Sequence, residues 1–135
     1  MARIKKLNFI PAIDRNKMIK NESYCRISKI GILTLPRKTL INLGFKLDGI
    51  TPIYLYEDLP NRVIGFRIDN KIVKEKNLRL IKPYHSKQGA IYAVFSIKFF
   101  LEQLNGIKYP LPKLIIKKYS DKLTEELFYI QIPYS

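Results

Sequence analysis

The sequence predicts a mostly β protein with two short helices, laid out as a β-β-α-β-β unit that occurs twice in tandem. Three observations predict it. Short apolar runs alternate with polar residues at the two-residue period of half-buried strands. Glycine and proline punctuate those runs at turn positions. Ser28, Lys29 and Gly31 then recur as Ser86, Lys87 and Gly89 at a constant offset, with the same order of elements after each.

The first unit spans 22–70. Cys25 and Ile27 alternate with Tyr24, Arg26 and Ser28, which predicts a strand with the first pair inside. Gly31 makes a tight turn, and Ile32 to Leu35 form a second strand with Leu33 and Leu35 on one face. Pro36 suits the first position of a helix, where a missing N–H costs nothing. Leu40 and Leu43 share that helix's inner face, and Gly44 supplies the left-handed residue that ends it. Asp48-Gly49 makes a further turn before two strands, Pro52 to Glu57 and Arg62 to Ile68.

A polar connector occupies 71–77, and the second unit, 78–135, repeats the order. Its strands are Leu78 to Tyr84, Ala90 to Phe95, Lys113 to Tyr119 and Leu127 to Ile132. Its helix starts at Ser96 as N-cap, buries Phe99, Phe100, Leu101 and Leu104, and ends at Asn105-Gly106. Residues 1–21 form a basic arm or, with Pro11 in an apolar stretch, an edge strand.

A chain of 135 residues buries roughly two-thirds of its unfolded surface, and 47% hydrophobic residues fill one core, so the units belong to one compact domain. Twenty-five Lys and Arg against eleven Asp and Glu leave a net charge of +14. A protein this basic repels itself and calls for an acidic partner, nucleic acid above all. Cys25 is the only cysteine, which excludes an intramolecular disulfide and fits a reducing compartment, the cytoplasm. The N-terminus has no apolar h-region of a signal peptide. The run Ala90 to Phe95 is too short to span a bilayer, so no membrane partner is expected.

Catalysis finds little footing. His85 and Cys25 are single representatives of their types, and no Walker loop, dinucleotide glycine pattern or clustered metal-ligand set is present. The expectation is a non-enzyme without a cofactor.

The stretch from Ser28 to Gly49, with its lysine-glycine turn, Pro36, Leu43-Gly44 and Asp48-Gly49, resembles the signature of the AbrB/SpoVT family of small DNA-binding regulators and antitoxins. The resemblance covers roughly Tyr24 to Ile68. It implies a swapped-hairpin barrel that grips duplex DNA. With two units in one chain, it implies an AbrB-like barrel made as a monomeric pseudo-dimer, or by two chains that swap halves. Regulators of the MraZ type are similar in carrying two such repeats, although their Asp-x-x-x-Arg motifs are missing here. Other departures are specific. The arginine that usually follows the turn glycine is Ile32 in one unit and Ala90 in the other, the helical arginine is Leu40, and Phe95-Ser96 replaces the second proline.

The residues assigned to a phosphate surface are Arg26 and Lys29 on the first hairpin, Lys82 and Lys87 on the second, and Arg37 and Lys38 after Pro36. Arg3, Lys5 and Lys6 of the arm add groove contacts. Lys98 holds a place similar to Arg37, and Asn61, Arg62 and Gln88 are the candidates for reading bases. The function expected is duplex-DNA binding through phosphates, as a transcriptional regulator or architectural factor at the nucleoid. The alternative is an antitoxin-like interaction module or assembly subunit, with an acidic protein as partner. RNA is a third partner, for which Tyr54, Tyr56, Tyr84, Tyr92 and Tyr119 supply stacking surfaces, although most of these tyrosines are expected in the core or barrel wall.

Overall fold

The computed structural model describes residues 22–107, 109–119 and 127–134. The predicted N-terminal arm and the turn at 120–126 lie outside them. The elements are β1 (Tyr24–Ile27), β2 (Ile32–Pro36), α1 (Arg37–Leu43), β3 (Thr51–Asp58), β4 (Val63–Ile68), β5 (Leu78–Ile81), β6 (Tyr84–His85), β7 (Ile91–Ser96), α2 (Lys98–Leu101), β8 (Leu111–Ile115), β9 (Lys117–Tyr119) and β10 (Leu127–Gln131). No helix among the described residues is long and apolar enough to cross a membrane.

The strands form two five-stranded antiparallel sheets, β6-β7-β2-β1-β8 and β5-β3-β4-β10-β9. The repeated Ser-Lys-x-Gly tips explain how the first sheet begins. In each tip the serine hydroxyl accepts the N–H of the residue after glycine, Ile32 N to Ser28 Oγ at 3.2 Å and Ala90 N to Ser86 Oγ at 2.8 Å. Both glycines sit at positive φ, +81° for Gly31 and +88° for Gly89, where a side chain is strained. The tips therefore fix the same register in both hairpins, Arg26 opposite Thr34 and Tyr84 opposite Tyr92.

The hairpins join through β2 and β7, with Leu35 opposite Ala93 and Pro36 opposite Tyr92. Since that pairing is antiparallel, the two tips lie at opposite ends of the sheet. In the second sheet β4 pairs with β10, placing Gly65 against Tyr129.

The two sheets share one core. Inward residues Cys25, Ile27, Leu33, Leu35 and Phe95 of the first meet Ile53, Leu55, Ile64, Phe66 and Ile130 of the second. Phe66 is the centre of an aromatic cluster, edge-on to Phe45 at 5.9 Å and to Phe95 at 6.2 Å across the sheets.

A closed barrel is not what forms among the described residues. The predicted strand from Leu78 to Tyr84 is broken at Lys82-Pro83, where proline has no N–H for a ladder. Its first part, β5, edges the second sheet, and its second part, β6, edges the first. The predicted strand from Lys113 to Tyr119 is likewise divided at Ile116 into β8 and β9, on opposite sheets. The sheet edges are thus joined by chain that crosses between them, not by a continuous ladder of hydrogen bonds.

The helices also differ in detail. Pro36 ends β2 and caps α1, so the helix starts at Arg37, one residue later than its ring suggests. Ser96 ends β7, and Ile97 is the residue that caps α2. Ser96 Oγ still accepts from Lys98 N at 3.3 Å. Phe100 and Leu101 are buried as expected, while Phe99 is exposed.

Candidate nucleic-acid interface

The antiparallel β2–β7 pairing decides where the cations go. Ile32 stands opposite Ser96, so the first tip, with Lys29, meets the start of α2, with Lys98. The contact is close: Ile97 N donates to Gly31 O at 2.9 Å, and a Cβ on Gly31 would lie 3.0 Å from Lys98 Cα. Lys29, Lys98, Glu102 and Tyr109 line a concavity of about 330 Å³ at this end. Lys98 is paired there with Glu102 at 3.7 Å. Burial, and then the Glu102 carboxylate, push the Tyr109 phenol above its ordinary pKa.

At the opposite end the second tip, with Lys87 and Gln88, runs beside the start of α1, with Arg37 and Lys38, because Pro36 stands opposite Tyr92. All four of these side chains are exposed. Between the ends, Arg26 projects from the outward face of β1 beside Thr34. Lys82 is exposed at the corner between β5 and β6. Among the described residues none forms an ion pair or side-chain hydrogen bond with Arg26, Lys29, Arg37, Lys38, Lys82 or Lys87. Arg3, Lys5 and Lys6 lie outside the described residues.

One assignment fails. Arg62 does not reach solvent to read a base: it is 5% exposed and held by backbone carbonyls. Its Nε donates to Ile132 O at 3.0 Å, its Nη1 to Asn105 O, and its Nη2 to Gly106 O at 3.3 Å and Pro133 O at 3.1 Å. The Tyr134 ring lies 4.0 Å from the guanidinium carbon. This arginine ties the β3–β4 turn, the loop after α2 and the chain beyond β10 into one unit. Asn61, beside it, donates to the Asp58 carboxylate at 2.8 Å.

The tyrosines also depart from expectation. Only Tyr54 of the five is buried, and its hydroxyl donates to Lys71 O at 2.7 Å while accepting from Val73 N at 2.9 Å, fastening the connector. Tyr56, Tyr84 and Tyr119 are exposed and Tyr92 half-buried. Tyr84 and Tyr92 touch, with ring centroids 5.3 Å apart. The matched hairpin tips carry the signal for this contact, since the register they set pairs Tyr84 with Tyr92.

Cys25 lies in the core, and burial pushes its thiol from 9.0 to about 12. His85 Nε2 faces Leu47 O at 2.9 Å and Asp48 Oδ1 at 3.6 Å. Among the described residues no group of three His, Cys, Asp or Glu is placed to hold a metal ion. Comparison of the chain with protein-family models, with curated proteins and with solved structures gives no match.

Proposed function

We propose that this protein binds duplex DNA through backbone phosphates, as a transcriptional regulator or architectural factor. The observation that carries this reading is the pair of cation groups at opposite ends of one sheet. Lys29 and Lys98 form one, and Lys87 with Arg37 and Lys38 the other, with Arg26 between them. At 3.2–3.4 Å per strand residue the ends are on the order of 20 Å apart, a separation that spreads contacts over several phosphates. Phosphate contacts position a protein on duplex DNA without reading sequence, which agrees with the engagement of Arg62 elsewhere.

In the same reading the two units are AbrB-like halves interleaved in one chain. Four pairings support it, β1 with β8, β3 with β5, β2 with β7 and β4 with β10, since each joins a strand of one unit to a strand of the other. The interaction-module reading is favoured by the apolar tip of the first hairpin, where Ile30 is 70% exposed and Ile32 replaces the family's arginine.

The test is binding of labelled duplex by wild type and by the Arg37→Glu/Lys38→Glu double variant at about 50 mM salt. The expected result is a loss of at least about ten-fold, as two phosphate contacts become repulsions. Unchanged affinity would show that these residues do not form the surface. Absence of any duplex binding by wild type would turn attention to the protein partner.

A further inference from the structure

The outward face of the first sheet carries a feature that phosphate binding to a duplex does not use. Tyr84 stands opposite Tyr92, Tyr92 opposite Pro36, and Tyr24 opposite Ile115. Extending the β1–β2 register by two pairs brings Tyr24 beside Pro36, so these five residues form one row across all five strands. The alternation of each strand turns them away from the core, and Tyr84 is 55% exposed. From Tyr84 to Tyr24 the row spans about 14 Å at 4.7–4.9 Å per strand, room for a short run of bases and not only one.

The charged residues within the strands of this face are all basic. None of its five strands contains Asp or Glu. The neighbouring row holds Arg26, and the bulge between β1 and β8 sets Pro112 and Lys113 opposite it. Lys113 Nζ lies 5.2 Å from the centre of the Tyr24 ring and is paired with Glu22 at 3.7 Å, before the sheet starts. Lys82 and Lys87 flank Tyr84 along the chain, and both are exposed. Accessible rings in a row, one exposed and two half-buried, flanked by cations and with no carboxylate on the strands themselves, suit a ligand with flat π-faces on a polyanionic backbone. A duplex hides its base faces in the stack, so the complementary ligand is a single strand.

We propose that the outward face of the first sheet binds single-stranded nucleic acid, with bases stacked on Tyr84 and Tyr92 and backbone phosphates on Arg26, Lys82 and Lys87. The inference shares cations with the duplex reading but rests on the aromatic row, and the two succeed or fail separately.

The test measures binding of labelled oligo(dT), oligo(rU) and a duplex of equal length, at about 50 and 200 mM salt. Three proteins are compared: wild type, Tyr84→Leu/Tyr92→Leu, and Tyr84→Phe/Tyr92→Phe. Leucine keeps the face apolar without a ring, and phenylalanine keeps the ring without the hydroxyl. The expected result is single-strand binding that the leucine pair weakens about ten-fold or more, that the phenylalanine pair preserves, and that accompanies unchanged duplex binding. Comparable affinity for dT and rU marks stacking as dominant, and a clear preference for either names the source. Wild type that binds duplex but neither single strand, or single-strand binding that the leucine pair leaves intact, overturns the proposal while leaving the duplex reading standing. Nitration of wild-type tyrosines with and without oligo(dT) keeps the proposal falsifiable should the leucine pair fail to fold. Tyr84 and Tyr92 are then protected and Tyr134 is not, and equal nitration of all three overturns it.

Discussion

Replacing Arg62 by methionine removes the guanidinium while keeping an unbranched side chain of similar reach. Four carbonyls lose a charged donor, those of Ile132, Asn105, Gly106 and Pro133. The Ile132 bond is buried, so that acceptor bears the cost of an unsatisfied group, about 1–3 kcal/mol. The other three are partly accessible and regain water, losing roughly 0.5 kcal/mol each on the net scale of such bonds. The contact with the Tyr134 ring adds about 0.5–1 kcal/mol. Against this, the variant no longer desolvates a cation, which offsets part of the loss. The balance is a destabilisation of about 3 kcal/mol, or on the order of 10 °C in Tm for a domain of this size. Arg62 also holds φ at +57°, a conformation disfavoured for any non-glycine residue, and methionine inherits that strain unchanged. Urea unfolding followed by far-ultraviolet circular dichroism measures the loss. Lysine at 62 cannot span four carbonyls and is expected to recover less than half of it. A destabilisation below about 1 kcal/mol for Arg62→Met would refute the reasoning, since it would mean that the carbonyls are satisfied without the side chain.

Gly31 and Gly89 occupy equivalent turns with different surroundings, and alanine separates backbone strain from contact. Gly89→Ala meets open space and is expected to cost about 1 kcal/mol, whereas Gly31→Ala also collides with Lys98 and is expected to cost at least about twice that by chemical denaturation. Gly65→Ala would place a Cβ 2.8 Å from Phe128 O and force β4 from β10, which thermal melting should register as a loss of about 2 kcal/mol or more. Cys25 should be inert to thiol reagents at pH 8 until the protein unfolds, because burial keeps its proton on to about pH 12. The sign of the linkage follows: above about pH 9 the unfolded thiol ionises and the folded one does not, so Cys25 lowers stability as pH rises from 9 toward 12, by at most about 1.4 kcal/mol per pH unit. In Cys25→Ala that part of the alkaline loss should disappear from denaturation curves measured across this range.

How much of this was legible in the sequence depended on whether the signal was local. The strand alternation placed Cys25, Ile27, Leu33 and Leu35 in the core, where they are. The repeated tips were readable because a serine hydroxyl and a glycine at positive φ act within four residues. The division of two strands between the sheets was not readable. Lys113 to Tyr119 looks continuous and is divided at Ile116 only because its two parts pair in different sheets, while in Leu78 to Tyr84 Pro83 marks the break but not that the two parts edge different sheets. Arg62 failed as a base-reading candidate for the same reason. Its partners Ile132, Asn105 and Gly106 are distant in sequence, so an isolated arginine beside an asparagine resembled a surface pair. The candidate cations were found by composition, while their division between two ends of one sheet came from the β2–β7 register.

The measurement that tests the central claim most directly is the salt dependence of wild-type binding to duplex DNA. If Arg26, Lys29, Arg37, Lys38, Lys82 and Lys87 each neutralise a phosphate, log K falls against log salt concentration with a slope of about −5. The Arg37→Glu/Lys38→Glu variant should flatten that slope by about 2. A slope near zero, or no duplex binding at about 50 mM salt, would contradict the account.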